Sequence, residues 1–367
     1  MAILTEGQRI NNTYEVERFL GEGAFAEVYR VKHRFLGRQA MKVFKTFGMT
    51  MDEIEKIMGE AILLSQIGHP NIVRVFDANV STTQKGIFGY FTMEYVAGGS
   101  LDKFWQSYDN RVVPIETTVQ VITQICQGLA VSHSENPPII HRDIKPQNIL
   151  IGYDSEGIRV RVSDFGLAKH VNPLTLLASA KGTKIFKSPE VYKDYKFDSC
   201  AGDVWAIGCI LYLMLTDRLP FADIVENEFF DHSSFLVPII PPSRLNLNVN
   251  PFLDQITLKA LAIEPSARYL NAMEFLKDLK KWKPSKTAKH TDIAINQAET
   301  TKEALGVHTP VDETKATELL KEALSLSIYS NKLNDAADLL EQAFLRFPDY
   351  KEKYEYLAKL WRKGISR

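Results

Sequence analysis

Several absences narrow this 367-residue chain before any motif is read. It has three cysteines, Cys126, Cys200 and Cys209, with no Cys-x-x-Cys pair and no metal-like spacing to histidine. That argues against a disulfide framework or a thiolate metal module and points to reduced, buried thiols in a cytoplasmic protein. Charge of one sign is missing too: 45 acidic residues face 44 Lys and Arg, a net charge of -1. Nothing in that balance marks a nucleic-acid or anionic-membrane binder. The start, MAILTEGQRI, lacks the basic segment and long apolar core of a signal peptide. The longest apolar run, 206–215, is about half of the ~20 residues a membrane helix needs and reads as a buried core helix.

What is present is apolar mass. At 45% hydrophobic and 24% charged, the chain is globular, with material for two or three units. Residues 14–47 alternate short β-rich runs with turns: YEVERFL, then GEGAFAEVYRVKHR, then QAMKVFK. That predicts three strands of an antiparallel sheet. From Met51 to Ile67 apolar residues recur at helical spacing until His69-Pro70-Asn71 ends the helix. IVRVFDANV and GIFGYFTMEYV predict two further strands. After Gly98-Gly99 the pattern turns mostly helical, with a long helix in TTVQVITQICQGLAVSHSEN, two short strands in NILIG and IRVRV, and helices over 203–217, 251–263 and 270–282. Residues 284–312 are polar with weak periodicity and predict a linker. Helical periodicity returns from Glu313 to the end. The fold class is therefore α+β: a small sheet lobe, a larger helical lobe and a small all-α unit.

The chemistry concentrates in four places. Gly21-Glu22-Gly23 begins a turn between two strands, where glycines let backbone amides approach a phosphate; a flexible hairpin accounts for it as well. Lys42 is a charge on an otherwise apolar strand, and Glu60 follows 18 residues later on the helix, where it could pair with it. The loop His141-Arg142-Asp143-Ile144-Lys145-Pro146-Gln147-Asn148 crowds a carboxylate, an ammonium and an amide together. Phosphoryl transfer needs positioning and charge neutralisation rather than covalent work. An aspartate can take a hydroxyl proton, a lysine can neutralise the phosphoryl group, and an asparagine oxygen suits Mg²⁺. Asp143, Lys145 and Asn148 supply these, and Asp164, in Asp164-Phe165-Gly166 after a strand, supplies a second carboxylate for the metal.

In combination, GEGAFAEV, AMK, Glu60, MEYVAGGSL, HRDIKPQN, DFG, GTKIFKSPE, DVWAIG and Arg268 make residues 14–283 resemble a eukaryotic-type protein kinase, in that family's order. The resemblance implies a bilobal protein-kinase fold over 1–283, with lobes of about 1–96 and 97–283, a linker over 284–312 and a helical extension over 313–367. It implies ATP and Mg²⁺ as cofactors and protein substrates. Leu20, Gly21, Gly23 and the backbone around Phe25 would cover the nucleotide. Lys42 would hold its α- and β-phosphates and pair with Glu60. Met93 takes the gatekeeper place, the backbones of Glu94 and Val96 would bond the adenine edge, and Val28, Ala40 and Leu150 would sandwich the base. Asp143 would be the catalytic base, Lys145 the γ-phosphate contact, and Asn148 and Asp164 the metal ligands. Lys145 at its place, and Thr183, resemble the serine/threonine branch. An Arg before the catalytic Asp, here Arg142, often pairs with a phosphate on the activation loop, and Ser179 is the expected site of autophosphorylation, with Thr175 and Thr183 as alternatives.

Some features depart from that pattern. Ala26 replaces the third loop glycine, and Ser188 replaces the usual alanine before Pro189-Glu190, where Glu190 can still pair with Arg268. The basic segment Lys184–Lys187 predicts a preference for acidic residues after the phosphoacceptor. A kinase-like scaffold without catalysis would have lost Lys42, Asp143 or Asp164, and all three are present. The extension weakly resembles a tetratricopeptide repeat through Ala336, Leu340, Ala343 and Pro348. One repeat cannot bury its own apolar face, so the unit must dock on the kinase, pair with another chain (a partner or a second copy), or stand as a plain helical hairpin.

Overall fold

The computed structural model describes residues 2–23, 26–45, 52, 54–55, 58–59, 67–83, 86–108, 113–154, 157–165, 184–194, 199–221, 235, 237–284, 310–327, 332–346, 349–362 and 364–365. Phe25, Glu60, Gly166, Thr175, Ser179 and Thr183 lie outside them, as does most of the helix expected over 51–67.

Six strands form the first sheet: β1 (Arg9–Ile10), β2 (Tyr14–Glu22), β3 (Ala26–His33), β4 (Gly37–Phe44), β5 (Val75–Thr83) and β6 (Gly86–Glu94), in the order β1-β2-β3-β4-β6-β5. All neighbours are antiparallel. Strand β4 sits between β3 and β6, and opposed pairs put Val28 across from Lys42, Lys42 across from Phe91 and Ala40 across from Met93. Because side chains alternate along a strand, these residues share one face. Tyr29, Val31, Met41, Val43 and Tyr90 occupy the other, where Leu4 and Ile10 of the N-terminal segment cover them. From Gln39 onward both faces of β4 are thus buried, which is why apolar residues fall on both faces and do not alternate with polar ones.

The expected strand from Ile72 starts only at Val75. Residues 71–73 pair instead with Val162: the Val73 amide donates to its carbonyl, and its own amide donates to Asn71 O, both at 2.9 Å. That exchange ties the first lobe to the second. At the crossing between lobes, a Cβ on Gly98 would lie 2.3 Å from Ile151 O, so only glycine admits this approach.

The helical lobe contains α1 (Leu101–Gln106), α2 (Ile115–His133), α3 (Pro189–Lys193), α4 (Cys200–Thr216), α5 (Pro251–Ala260) and α6 (Ala272–Leu279), with the hairpin β7 (Ile149–Asp154) and β8 (Gly157–Val162) against α2. Helices α4, α5 and α6 start where an Oγ or amide oxygen can accept from the first turn: Ser199 from the Gly202 amide, Asn250 from Leu253 and Asn271 from Glu274. Helix α4 is buried all round, which accounts for the apolar run over 206–215.

Helices α7 (Pro310–Leu326), α8 (Leu333–Arg346) and α9 (Asp349–Arg362) follow. The first begins at Pro310, inside the stretch expected to be linker; the fixed φ of proline suits a first helical turn. These helices bury a core of their own that includes Leu320, Leu340, Phe344, Leu360 and Trp361. Of the aromatics in this region, Trp361 is core, Tyr350 and Tyr354 pack partly against it, and Tyr356 is exposed. The unit also touches the helical lobe: Asn246 and Ile365 form an antiparallel bridge, and the Leu247 amide donates to Gly364 O at 2.6 Å. Gly364 has φ +73°, and a Cβ there would sit 2.7 Å from Leu247 Cβ.

Candidate active site

The loop after α2 is shaped by one carboxylate. Asp203, in the first turn of α4, accepts the backbone amides of His141 at 2.8 Å and Arg142 at 2.9 Å, and its Oδ2 lies 3.0 Å from His133 Nε2. Arg142 has φ +69°, a left-handed conformation that costs a non-glycine residue of order 1–3 kcal/mol and persists only when the surroundings over-determine it. The two amide bonds to Asp203 do that. Burial alone would push the Asp203 carboxyl up; its bonds to His133 and to the His141 amide outweigh this and hold it below the usual range.

His141 joins the loop to the end of β8. Its Nδ1 accepts from the Asp143 amide at 3.2 Å, its Nε2 donates to Ser163 O at 2.8 Å, and its ring lies 4.5 Å from Phe165. Phe165 is fully buried there, so the residue after Asp164 is fixed from the inside. Both ring nitrogens are committed as in the neutral imidazole, and burial lowers its pKa from 6.5. A depressed histidine stabilises the fold fully above its unfolded pKa and loses that contribution as pH falls through the folded value. Acidification below 6.5 therefore charges this ring at the expense of the Asp143 amide bond. A His141→Phe variant, which keeps a ring on Phe165, is expected to lose less melting temperature between pH 7 and pH 5 than wild type. An equal loss in both would clear His141 of this role.

The Asp143 carboxylate is divided between partners. Its Oδ2 meets Lys145 Nζ at 2.7 Å and Asn148 Nδ2 at 3.0 Å; its Oδ1 meets Lys187 Nζ at 2.9 Å. Burial raises its pKa, but Lys187 and Lys145 outweigh that and hold it well below the ordinary carboxylate range. Asn148 Nδ2 also donates to Asp143 O at 2.7 Å, which leaves the amide oxygen as the group that could meet a hard cation. Ser163 laces this loop to β8, its amide and hydroxyl donating to Asn148 O at 2.9 and 3.0 Å. The next residue, Asp164, has φ +64° and pairs with Lys42. Lys42 is 3% exposed, on the central strand and not at an edge.

Ala40, Met93, Val28 and Leu150 come together on the inner face of the sheet with Phe91 and Val73. Leu20 and Gly21 are half-buried at the end of β2, and the Gly23 amide closes the following turn on Ala26 O at 2.8 Å. Glu94 and Val96 follow Met93, both half-buried; the Glu94 amide donates to Arg74 O, so an adenine edge would have to meet its carbonyl. Arg142 is half-buried with Nη1 on Ile140 O. Glu190 and Arg268 form the expected pair, as a two-pronged bridge at 2.8 and 2.6 Å.

One expectation is corrected. Lys187 does not present its charge to an incoming peptide: it is 8% exposed and turned inward onto Asp143. The Ile185 carbonyl accepts from Trp205 Nε1 and Cys209 Sγ of α4, which anchors the segment that carries the lysine. Sequence reading also passed over His141 and Asp203 as working residues, although both stand inside quoted motifs.

The match to known proteins agrees with this geometry. A family model described as protein kinase domain matches residues 14–293. The chain belongs to the protein kinase domain family. Among curated relatives, the kinase domain is 34% identical over 283 residues to serine/threonine-protein kinase PknB of Mycolicibacterium smegmatis, covering 75% of this chain and 44% of that protein. A probable serine/threonine-protein kinase of Clostridium perfringens is 33% identical over 286 residues, covering 76% and 39%. The chain thus spans less than half the length of these relatives. The kinase domain of Mycobacterium tuberculosis PknI superposes with a TM-score of 0.55 at 23% identity, covering 76% of this chain and 99% of that one, a likeness of fold. Among the described residues, no helix is long and apolar enough to cross a membrane.

Proposed function

We propose that this chain is a serine/threonine protein kinase that transfers the γ-phosphate of ATP to hydroxyls of proteins. The observation that carries this is Asp143: an ionised carboxylate held between two ammoniums on a loop laced to the Lys42–Asp164 pair. Asp143 accepts the hydroxyl proton as the new O–P bond forms and the bond to ADP breaks. Lys145 neutralises charge on the group in flight, and Lys42 grips the α- and β-phosphates.

Asp164 and Asn148 would hold Mg²⁺. They are hard oxygen donors, and no group of three or more His, Cys, Asp or Glu among the described residues competes as a metal cage. Two protein ligands suit a cation that completes its shell with water and phosphate. Bound there, Mg²⁺ supplies charge neutralisation of the phosphate oxygens. Three free thiols, two of them buried, favour a cytoplasmic setting. A kinase domain over 1–283 followed by a helical unit that opens at Pro310 supports a kinase with a separate contact module, for a protein partner or a second copy. Its kinship with tetratricopeptide repeats rests on Ala336, Leu340, Ala343 and Pro348. Arg142 would receive an activation-loop phosphate, with Ser179 the first candidate.

Radiolabelled ATP with a generic protein substrate and Mg²⁺ should label substrate and kinase on serine and threonine only, with the label lost when EDTA removes the metal. Phosphotyrosine, or transfer that survives EDTA, would defeat this reading.

A further inference from the structure

Among the described residues, Lys187 is a charged group on Asp143 that the kinase reading leaves without a task. It stands between Phe186 and Ser188, just ahead of α3. Its neighbours Ile185, Phe186 and Pro189 are apolar and buried. Yet the lysine is buried with them, and its Nζ spends two hydrogen bonds on the catalytic loop, at 2.8 Å to Arg142 O and 2.9 Å to Asp143 Oδ1.

Burying an ammonium is costly unless it is paired and hydrogen-bonded, so these bonds set where the side chain lies. They also set what remains of Asp143. A carboxylate offers about four lone-pair sites. Lys145 and Asn148 take the two on Oδ2, and Lys187 takes one on Oδ1. Among the described residues, the acceptor site that remains is on Oδ1, beside Lys187.

We propose that Lys187 is a positioning residue for phosphoryl transfer: tied through Ile185 to α4, it clamps Asp143 Oδ1 so that the last acceptor site of the carboxylate faces the incoming hydroxyl. The proposal rests on the kinase reading. It makes the segment that leads into α3 part of the base's support, and couples the placement of that segment to the orientation of Asp143. Rotation of the carboxylate about its χ angles would break three charge-assisted bonds at once, one of them to a different element.

The test compares wild type, Lys187→Met and Lys187→Arg, measuring peptide phosphorylation, the KM for ATP and the melting temperature. Methionine keeps length and burial without a donor; arginine restores charge and donors. Lys187→Met is expected to lower kcat roughly ten- to a hundredfold, the scale of a misplaced reacting group, with the KM for ATP within about twofold of wild type. Lys187→Arg is expected to recover a large part of that loss. Should Lys187→Met melt more than about 5 °C lower, Lys187→Gln replaces it under the same criteria, since an amide still donates without charge. Unchanged kcat, or a kcat that rises because the lysine blocks the base, overturns the proposal. So does a loss in Lys187→Arg equal to that in Lys187→Met (or in Lys187→Gln where it stands in), which would assign the lysine a purely structural role. An inactive wild type would defeat the kinase reading itself and this proposal with it; an active wild type with an indifferent Lys187→Met defeats the proposal alone.

Discussion

Asp143→Asn is expected to lower kcat by about 10²–10⁴-fold, the usual contribution of a positioned general base, while nucleotide binding stays close to wild type. The substitution conserves shape and removes one thing, the negative charge that Lys145 and Lys187 share. An asparagine can still accept through one oxygen, but it has no place for the hydroxyl proton. Its amide nitrogen would also turn a donor toward one of two ammoniums, a like-with-like contact in a buried site. Labelled phosphate transfer measured beside nucleotide affinity checks this. Transfer within about fivefold of wild type would mean that Asp143 is no base and that the loop positions its substrate by other groups.

Arg268→Ala is expected to produce the largest loss of stability, about 3–5 kcal/mol, because it strands the Glu190 carboxylate, whose side chain is only 11% exposed. The Arg268 side chain is 0% exposed and every N–H donor has a partner: Nε on Ala262 O, Nη1 on Glu190 and Ala201 O, Nη2 on Glu190 and Ile263 O. Its guanidinium carbon also lies 5.1 Å from the Trp205 ring. The bonds gather α3, the start of α4 and the turn after α5 at one point, so their loss should loosen the segment that carries Lys187 as well. A drop on the order of 10 °C in melting temperature follows from the energy. Lysine should not rescue it, since an ammonium has three donors and no fork to match Glu190. A melting temperature within about 2 °C of wild type would show that the bridge carries little net energy.

Most of the fold was legible because the relevant signals are local. Short β-rich runs bounded by turns located β2, β3, β4 and β6, period-3.6 runs located α2 and the C-terminal helices, and an unbroken apolar run located α4, because such patterns reflect which faces are buried. One error falls where distant pairing overrode local preference: Ile72 and Val73 read as strand but were drawn to Val162. The other is a local boundary: Pro310 read as linker but opens α7, since its fixed φ suits a first helical turn.

The site divides the same way. Which chemistries gather on residues 141–148 and at Asp164 is written in the sequence, since a Pro-containing loop puts Asp143, Lys145 and Asn148 within a few residues of one another and the end of a strand supplies Asp164. The expectation for Lys187 failed for a reason of distance along the chain. A lysine in a basic run defaults to solvent, and only packing of Ile185 on α4 turned this one toward a carboxylate 44 residues away. Asp203 reaches amides 61 and 62 residues upstream, and Lys42 meets Asp164 across 122. By itself the order of residues determined the family, the element types and the kinds of group at the centre. Tertiary structure alone decided which ammonium meets which carboxylate, because such pairs are chosen by the space left between packed elements and not by spacing along the chain.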